Sequence, residues 1–169
     1  MSGADNQQER LDTGWVVGFV DGEGCFHVAI NKIDGMKLGW QVLPEFRVVQ
    51  HERDEAVLRR IKDILGCGKI TVNHGSRKEL RVRGLDNLNK VVRFFESNEL
   101  QTTKQKNFEI FSEIISMMNE RQHLTEKGLD KIARLASKMN RQTRRRYLES
   151  SETIRQTGSE RASVNEQKI

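Results

Sequence analysis

The sequence predicts an α+β fold, in which one four-stranded antiparallel sheet carries its helices on one face in the order αββαββα. Two kinds of pattern support this fold class. Apolar residues alternate with polar ones in four short stretches, and they recur at helical spacing in the segments around them. A length of 169 residues suits one domain with a sizeable core. In each predicted strand every second residue is apolar, which gives the sheet one apolar face, and helices should cover only that face.

The first predicted helix starts at Asp12 or Thr13, since either side chain can accept a hydrogen bond from a free backbone N–H. The residues before it, 1–11, form a polar N-terminal tail. The helix ends at Asp21-Gly22-Glu23-Gly24, where two glycines are expected to leave helical geometry and a strand begins. The end of an apolar helix therefore presents two carboxylates.

Three glycines, Gly14, Gly18 and Gly22, are spaced by four and share one face of this helix. Each glycine inside a helix costs about 1 kcal/mol relative to alanine. Close approach of a second helix would explain that cost, as in packing between small residues. The alternative is a buried core helix whose glycines are incidental.

The predicted strands and the helix between them follow in order. Strands over 25–31 and 40–50 are joined by a turn at Asp34-Gly35, and Pro44 predicts an irregularity or an edge. A helix over 53–65 ends at Gly66. Strands over 69–73 and 79–83, joined by residues 74–78, complete the sheet.

Three further helices have candidate caps. Asp86 is expected to cap 88–97, Thr102 or Thr103 to cap 104–119, and Thr125 to cap 126–140. The chain is thus divided into the tail 1–11, a core 12–140 and a basic tail 141–169.

The net charge of +5 favours a polyanionic partner, because the excess is confined to residues 101–169, with 14 basic and 9 acidic groups, although charge alone does not distinguish nucleic-acid binding from a soluble surface. No signal core and no apolar run long enough for a membrane is found, which predicts an intracellular protein that is not secreted. Cys25 and Cys67 predict reduced thiols, and the scattered histidines do not predict a zinc site.

On the predicted strands, the residues that alternate with the apolar ones and face away from the helices are polar and basic. Arginine, asparagine and glutamine on strands can recognise base edges in the major groove of DNA. Only Glu45 and Glu79 interrupt this face, whereas an ordinary solvated face, the alternative, would mix in more acids. The candidate DNA-binding residues on the strands and their turns are His27, Asn31, Gln41, Arg47, Lys69, Thr71, Asn73, Arg77, Arg81 and Arg83.

Residues 16–24, Val-Val-Gly-Phe-Val-Asp-Gly-Glu-Gly, resemble the motif that names the LAGLIDADG homing endonucleases. Gly18, Asp21 and Gly24 match it, and Glu23 stands where the family usually has aspartate. The resemblance covers about residues 12–146 and implies a saddle-like sheet over duplex DNA. With one motif found, it also implies a homodimer with Gly14, Gly18 and Asp21 at the helix interface.

The same resemblance implies the chemistry, a metal-dependent double-strand break in a long pseudo-palindromic target by an intron-encoded enzyme. Glu23 and the Gly22 carbonyl would hold Mg²⁺, or another divalent cation such as Mn²⁺ or, in a crystal, Ca²⁺. Gln50 would organise water, and Lys104, or alternatively Lys106, would approach the phosphate. Arg53 lies out of register with a family arginine, because Asp54 takes its place. Phosphate contacts are expected from the basic tail at Arg141, Arg144 and Arg145.

Two other functions use the same fold. One is an intron RNA maturase that binds its host intron RNA, against which the intact acid at Glu23 argues. The other is a DNA-binding regulator, which typically adds a helix-turn-helix domain, and only 29 residues follow Asn140.

Overall fold

The computed structural model of the chain describes the backbone of residues 3–139 and the side chains of residues 12–139. This part contains five α-helices and four strands, which confirms the predicted α+β class. The helices are α1 Gly3–Glu23, α2 Glu55–Leu65, α3 Leu85–Ser97, α4 Lys104–Asn119 and α5 Glu126–Ser137. The strands are β1 Gly24–Lys32, β2 Trp40–His51, β3 Lys69–His74 and β4 Arg77–Val82. Single 3₁₀ turns lie at Glu52–Asp54 and Gln122–Leu124.

The four strands form one antiparallel sheet in the order β1-β2-β4-β3. The register aligns one residue from each strand in a row across the sheet. In this row Cys25 lies opposite Arg47, Arg47 lies opposite Arg81, and Arg81 lies opposite Lys69. The predicted parity is confirmed, because this row is partly exposed while the alternate residues of β1, β2 and β4 are buried.

Each of the five helices contacts β1 or β2, and an aromatic cluster fills the space between helices and sheet. The ring of Phe26 on β1 lies with its centroid 5.2–5.6 Å from those of Phe46, Phe95, Phe108 and Phe111. Tilted and edge-on pairs of this kind stabilise beyond the area they bury. One face of the sheet is therefore fixed to the helices, and no helix of the described residues covers the other, which is called the open face.

Pro44 does not disturb the pairing of β1 with β2, since the register runs unbroken through the pair Val28–Pro44. The pairing of β2 with β4 begins only at Phe46, so Pro44 lies on a local edge, which is one of the two predicted outcomes. The irregularity of the sheet lies instead in β3, between Val72 and His74.

The predicted start of α1 is wrong, because the helix already begins at Gly3 and neither Asp12 nor Thr13 caps it. Asp12 forms an ion pair with Arg60 of α2, and the Arg60 guanidinium lies 4.2 Å from the Trp15 ring centroid. Gly22 also stays helical, so the change to strand falls between Glu23 and Gly24.

The other helix ends agree in part with the predictions. Asp86 is not a cap, because α3 begins at Leu85 after Gly84, whose φ of 83° suits glycine. Thr125 does cap α5 by accepting from the Gly128 N–H, and α5 ends at Ser137 rather than at residue 140. Gly66 ends α2 in the left-handed conformation, as predicted.

Candidate active site and nucleic-acid interface

The site is built on the junction of α1 and β1, where no loop separates helix from strand. Glu23 is the last residue of α1 and is exposed, while Gly24 is the first residue of β1 and is buried. A Cβ at Gly24 would lie 2.5 Å from Val20 Cγ1 and 2.9 Å from the Val20 oxygen. Only glycine allows this close turn, which brings the Glu23 carboxylate to the end of the sheet.

Lys104, the first residue of α4, extends to the same junction. Its Nζ donates to the backbone oxygens of Val20, at 2.9 Å, and of Gly24, at 2.5 Å. Carbonyls at a helix C-terminus lack intrahelical partners and favour a cation. Burial lowers the pKa of Lys104, and nearby Cys25, Asp21 and Glu23 only partly oppose this shift. The structure thus brings Lys104 and Glu23 to one end of α1.

Asp21 binds the loop that precedes α4. Its carboxylate accepts from the Gln101 N–H at 2.7 Å, the Thr102 N–H at 3.2 Å and the Thr102 hydroxyl at 2.8 Å. Burial alone would raise the pKa of Asp21, but these hydrogen bonds and Lys104 lower it overall. Asp21 therefore holds the start of α4 in its own chain, while its contact with a second chain stays a prediction.

Gln50 lies two residues beyond Val48 on β2, and Val48 pairs with Gly24. The register therefore places Gln50 next to the α1–β1 junction, opposite Lys78 of β4. Lys78 itself forms an ion pair with Glu55 at 3.0 Å. Lys106, the alternative to Lys104, is exposed two residues further along α4.

Among the described residues, the α1–β1 junction offers two oxygen donors for a divalent cation. No group of three or more histidine, cysteine or acidic side chains is placed to hold a metal within the described residues. The Glu23 carboxylate and the Gly22 carbonyl are hard oxygen donors of the kind that Mg²⁺ prefers. Two donors leave other coordination positions for water and phosphate oxygens.

The outer face of the sheet carries the predicted DNA-binding residues. Asn31, Lys69, Thr71, Asn73, Arg77 and Arg83 are exposed, and His27, Gln41, Arg47 and Arg81 are half-buried. At the β3 side of this face, a cleft of about 470 Å³ is lined by Gly68, Lys69, Thr71, Arg81, Arg83 and Asn87. Arg141, Arg144 and Arg145 lie outside the described residues.

Two acids of this face, Glu45 and Glu79, are buried, with 5% and 0% of their surface exposed. Arg83 meets one Glu45 oxygen through both Nε and Nη2, each at 2.7 Å. Arg47 Nε lies 3.2 Å from the other oxygen, an ion pair without hydrogen-bond geometry. Glu79 forms an ion pair with Arg81 and accepts from Asn73 at 3.3 Å.

In the sequence, these two acids were interpreted as interruptions of a basic face, and their burial was not predicted. A signal was present in the sequence, since Glu-x-Arg occurs at 45–47 and again at 79–81. At strand spacing, the two members of each such pair share a face.

The face of α1 that carries Gly14, Gly18 and Gly22 is exposed. A Cβ built on any of the three glycines meets nothing within 4 Å. Within the described residues nothing packs on this face, whereas Val16, Val17 and Val20 of the same helix are buried in the core, so the helix interface and the incidental glycines both stay predictions. Separately, no helix in residues 3–139 is long and apolar enough to cross a bilayer.

Comparison with known proteins identifies a family whose members are similar to this chain. The profile described as LAGLIDADG endonuclease matches residues 16–115. A probable intron-encoded endonuclease of Neurospora crassa is 35% identical over 133 residues, covering 77% of this chain and 29% of the relative. The chain spans between 24% and 29% of the length of the first curated relatives that it matches.

Solved structures agree with the sequence relatives. The crystal structure of the homing endonuclease I-TnaI is 48% identical, with a TM-score of 0.78, and the match covers 84% of this chain and 97% of that one. The LAGLIDADG homing endonuclease I-SmaMI, solved with cleaved DNA and also with uncleaved DNA in the presence of calcium ions, is 32% identical. Its TM-score is 0.74, and the match covers 76% of this chain and 44% of that one. The motif at the α1–β1 junction, the sheet topology and these matches together show that the chain belongs to the LAGLIDADG endonuclease family.

Proposed function

We propose that this protein is an intron-encoded homing endonuclease that makes a metal-dependent double-strand break at a specific site in duplex DNA. The observation that carries the proposal is the meeting of Glu23 and Lys104 at the end of α1, beside the open face of the sheet. A carboxylate and an ammonium at one point suit phosphodiester hydrolysis, which needs charge stabilisation at the phosphate and an activated water. The enzyme would work inside the cell, where duplex DNA is present.

Duplex DNA would lie against the open face of the sheet. The strands there present arginine, asparagine, glutamine and lysine side chains outward, and these are the side chains that recognise base edges and phosphates. The solved structures of I-SmaMI, which share this fold, contain DNA. The basic residues Arg141, Arg144 and Arg145 would add phosphate contacts.

Glu23 and the Gly22 carbonyl would hold a divalent cation, with DNA phosphate oxygens and water as its other ligands. A bound Mg²⁺ would neutralise charge on the phosphate and lower the pKa of a coordinated water. One I-SmaMI structure was solved in the presence of calcium ions, which supports a cation site in such proteins.

Lys104 and Gln50 would complete the site. An ammonium has three protons, and Lys104 uses two of them on the Val20 and Gly24 oxygens. The third remains for a phosphate oxygen, and the two carbonyls keep the side chain in place before DNA binds. Gln50 would orient water from the adjacent strand end.

Two strands of DNA require two such sites, and we infer that a homodimer supplies them. The glycine face of α1 is open and has no Cβ atoms to keep a second helix away. An isologous pair of α1 helices would bring both copies of Glu23 close to one two-fold axis. The exposed face and the single motif found in the chain both support this arrangement.

The test compares Glu23→Gln with wild type in cleavage and binding on the same duplex, the exon junction that flanks the intron containing the reading frame. Glu23→Gln keeps the size and removes the charge. Cleavage in Mg²⁺ should fall by orders of magnitude, because metal stabilisation is worth several kcal/mol and about 1.36 kcal/mol corresponds to tenfold in rate. Binding should change little, since the sheet carries it.

Glu113→Gln is the matched control, because Glu113 makes a 2.8 Å ion pair with Lys131 on the helical side of the molecule. It should cut like wild type. Cleavage by Glu23→Gln at the wild-type rate would refute the site. Wild-type protein that bound the host intron RNA and did not cut the duplex would favour the maturase function instead.

A further inference from the structure

Glu45 and Glu79 are the two buried charged residues in the described part of the chain, and both lie on the face proposed to meet DNA. A carboxylate taken out of water is costly unless it is paired and hydrogen-bonded. A face whose partner is a polyanion would gain attraction by losing them. Their presence therefore calls for a function that outweighs this loss.

The two acids occupy corresponding places on neighbouring strands. Arg47 of β2 lies opposite Arg81 of β4, and each strand carries its glutamate two residues before its arginine. Each glutamate therefore points to the same face as its arginine. Glu45 also binds Arg83, through both Nε and Nη2 at 2.7 Å.

We propose that Glu45 and Glu79 are positioning residues for base recognition, which hold Arg47, Arg81 and Arg83 in fixed orientations before DNA binds. The proposal rests on the proposed function, in which the open sheet face contacts DNA. Arginine loses many rotamers on binding, and a side chain that is already ordered loses fewer. Arg47 faces Glu45 through Nε, so its two terminal nitrogens remain available for a base edge.

The same ion pairs reduce the general electrostatic attraction of these arginines for DNA without removing their ability to recognise bases. Three arginines and two glutamates leave a net charge of +1 on the cluster instead of +3. Like charges directly opposite one another in a sheet, such as Arg47 and Arg81, are destabilising, and the carboxylates relieve this repulsion. The three arginines would thus contribute discrimination among sequences and only a small share of the salt-dependent affinity for any DNA.

The test uses Glu45→Gln and Glu79→Gln, with Glu113→Gln as the control for charge, on a library of duplexes of random sequence. After selection, the bound pool is sequenced to give a preference at each position. Both variants should lose preference by about fivefold or more at particular base pairs, since one good arginine–base contact discriminates by at least this factor. On unselected duplex, their salt slopes should steepen by up to about 0.9 per carboxylate removed.

This combination, weaker discrimination with stronger salt-dependent binding, distinguishes positioning from a purely structural role. A merely destabilised protein would lose both together. Glu113→Gln should keep the wild-type sequence preferences, because its ion pair lies among the helices.

A measurement on the wild-type protein covers the case in which a variant does not fold. NMR relaxation of the arginine Nε–H groups in the DNA-free protein reports motion on the ps–ns timescale. The groups of Arg47, Arg81 and Arg83 should be as ordered as the backbone. Arg93, which is exposed on α3, should be mobile and serves as the internal reference.

The two proposals fail in different ways. A wild-type protein that enriches no sequence from the library would overturn the DNA-recognition function itself. If wild type selects a sequence and both glutamine variants select it equally well, the positioning role is wrong. Nε–H groups of Arg47, Arg81 and Arg83 as mobile as that of Arg93 would also overturn it.

Discussion

Replacing Asp21 by asparagine tests how the loop before α4 is attached to the motif helix. One carboxylate oxygen accepts from the Gln101 N–H at 2.7 Å, and the other accepts from both the N–H and the hydroxyl of Thr102. Asparagine keeps one of these acceptors. Its amide nitrogen must then face a donor, so at least one hydrogen bond to a charged group is lost.

A hydrogen bond to a charged group contributes about 1.5–3 kcal/mol. Asp21 is half-buried, so water can replace part of this contribution, and the lower end of the range applies. We therefore expect Asp21→Asn to lower the free energy of unfolding by about 1.5 kcal/mol at pH 7.

The effect should depend on pH in a defined direction. The folded-state pKa of Asp21 lies below its ordinary value of 3.8. Its carboxylate therefore stabilises the fold above that value, and the stabilisation is lost as the pH falls through the lower, folded-state pKa. The difference between wild type and Asp21→Asn should be complete at pH 7 and should shrink below about pH 4.

Urea unfolding at pH 7 and near pH 3 measures both quantities. Asp34→Asn, in the exposed turn between β1 and β2, is the control and should match wild type at both pH values. Asp21→Asn within about 0.5 kcal/mol of wild type at pH 7 would refute the attachment, because surface changes commonly stay within that range. An undiminished deficit at low pH would show that the charge is not responsible.

Three other changes probe the dimer, the packing and the basic tail. Gly18→Leu should leave the circular dichroism unchanged and convert the proposed dimer to a monomer in sedimentation, since space is open at Gly18 within the described residues; a stable dimer would contradict the proposed helix interface. Gly128→Ala should cost about 1–3 kcal/mol or more in thermal unfolding, because its Cβ would lie 2.0 Å from the Gln122 oxygen, whereas Gly35→Ala should cost little. Alanine at Arg144, Arg145 and Arg146 together should weaken binding to all duplexes alike and flatten the salt slope by up to about 3 units; an unchanged slope would mean that the tail does not touch phosphate.

Local patterns in the sequence were sufficient for the fold, because the apolar parity of each strand and the spacing of each helix are properties of short segments. The outward orientation of Arg81 and Arg83 followed from the alternation in residues 79–83 alone. The start of α1 could not be predicted from its own segment. Asp12 is a residue type that can cap a helix, but in the fold it forms an ion pair with Arg60, 48 positions away. Competition between a local cap and a distant partner cannot be resolved from one segment.

The residues of the candidate site could be predicted from the sequence only where resemblance to a family motif identified them. Glu23 and Lys104 are 81 positions apart in the sequence, and their meeting at one helix end depends on how α4 packs. The burial of Glu45 and Glu79 depends on the register between β2 and β4, which no segment specifies by itself. The register decides that Glu45, on β2, reaches Arg83, the residue that follows β4.

Because α1 passes directly into β1, the distance between Glu23 and the first outward residue of β1 is fixed. Glu23 and Cys25, the first outward residue of β1, are two residues apart, and covalent geometry allows at most about 7 Å between their Cα atoms. If the protein cuts DNA as proposed, the offset between the bond that is cut and the nearest base pair contacted by β1 would be constant. One inserted residue at the junction would turn every outward side chain of β1 inward. New targets must therefore arise by exchanging side chains on the strands, whereas the exposed turn at 33–39 can change in length without altering that offset.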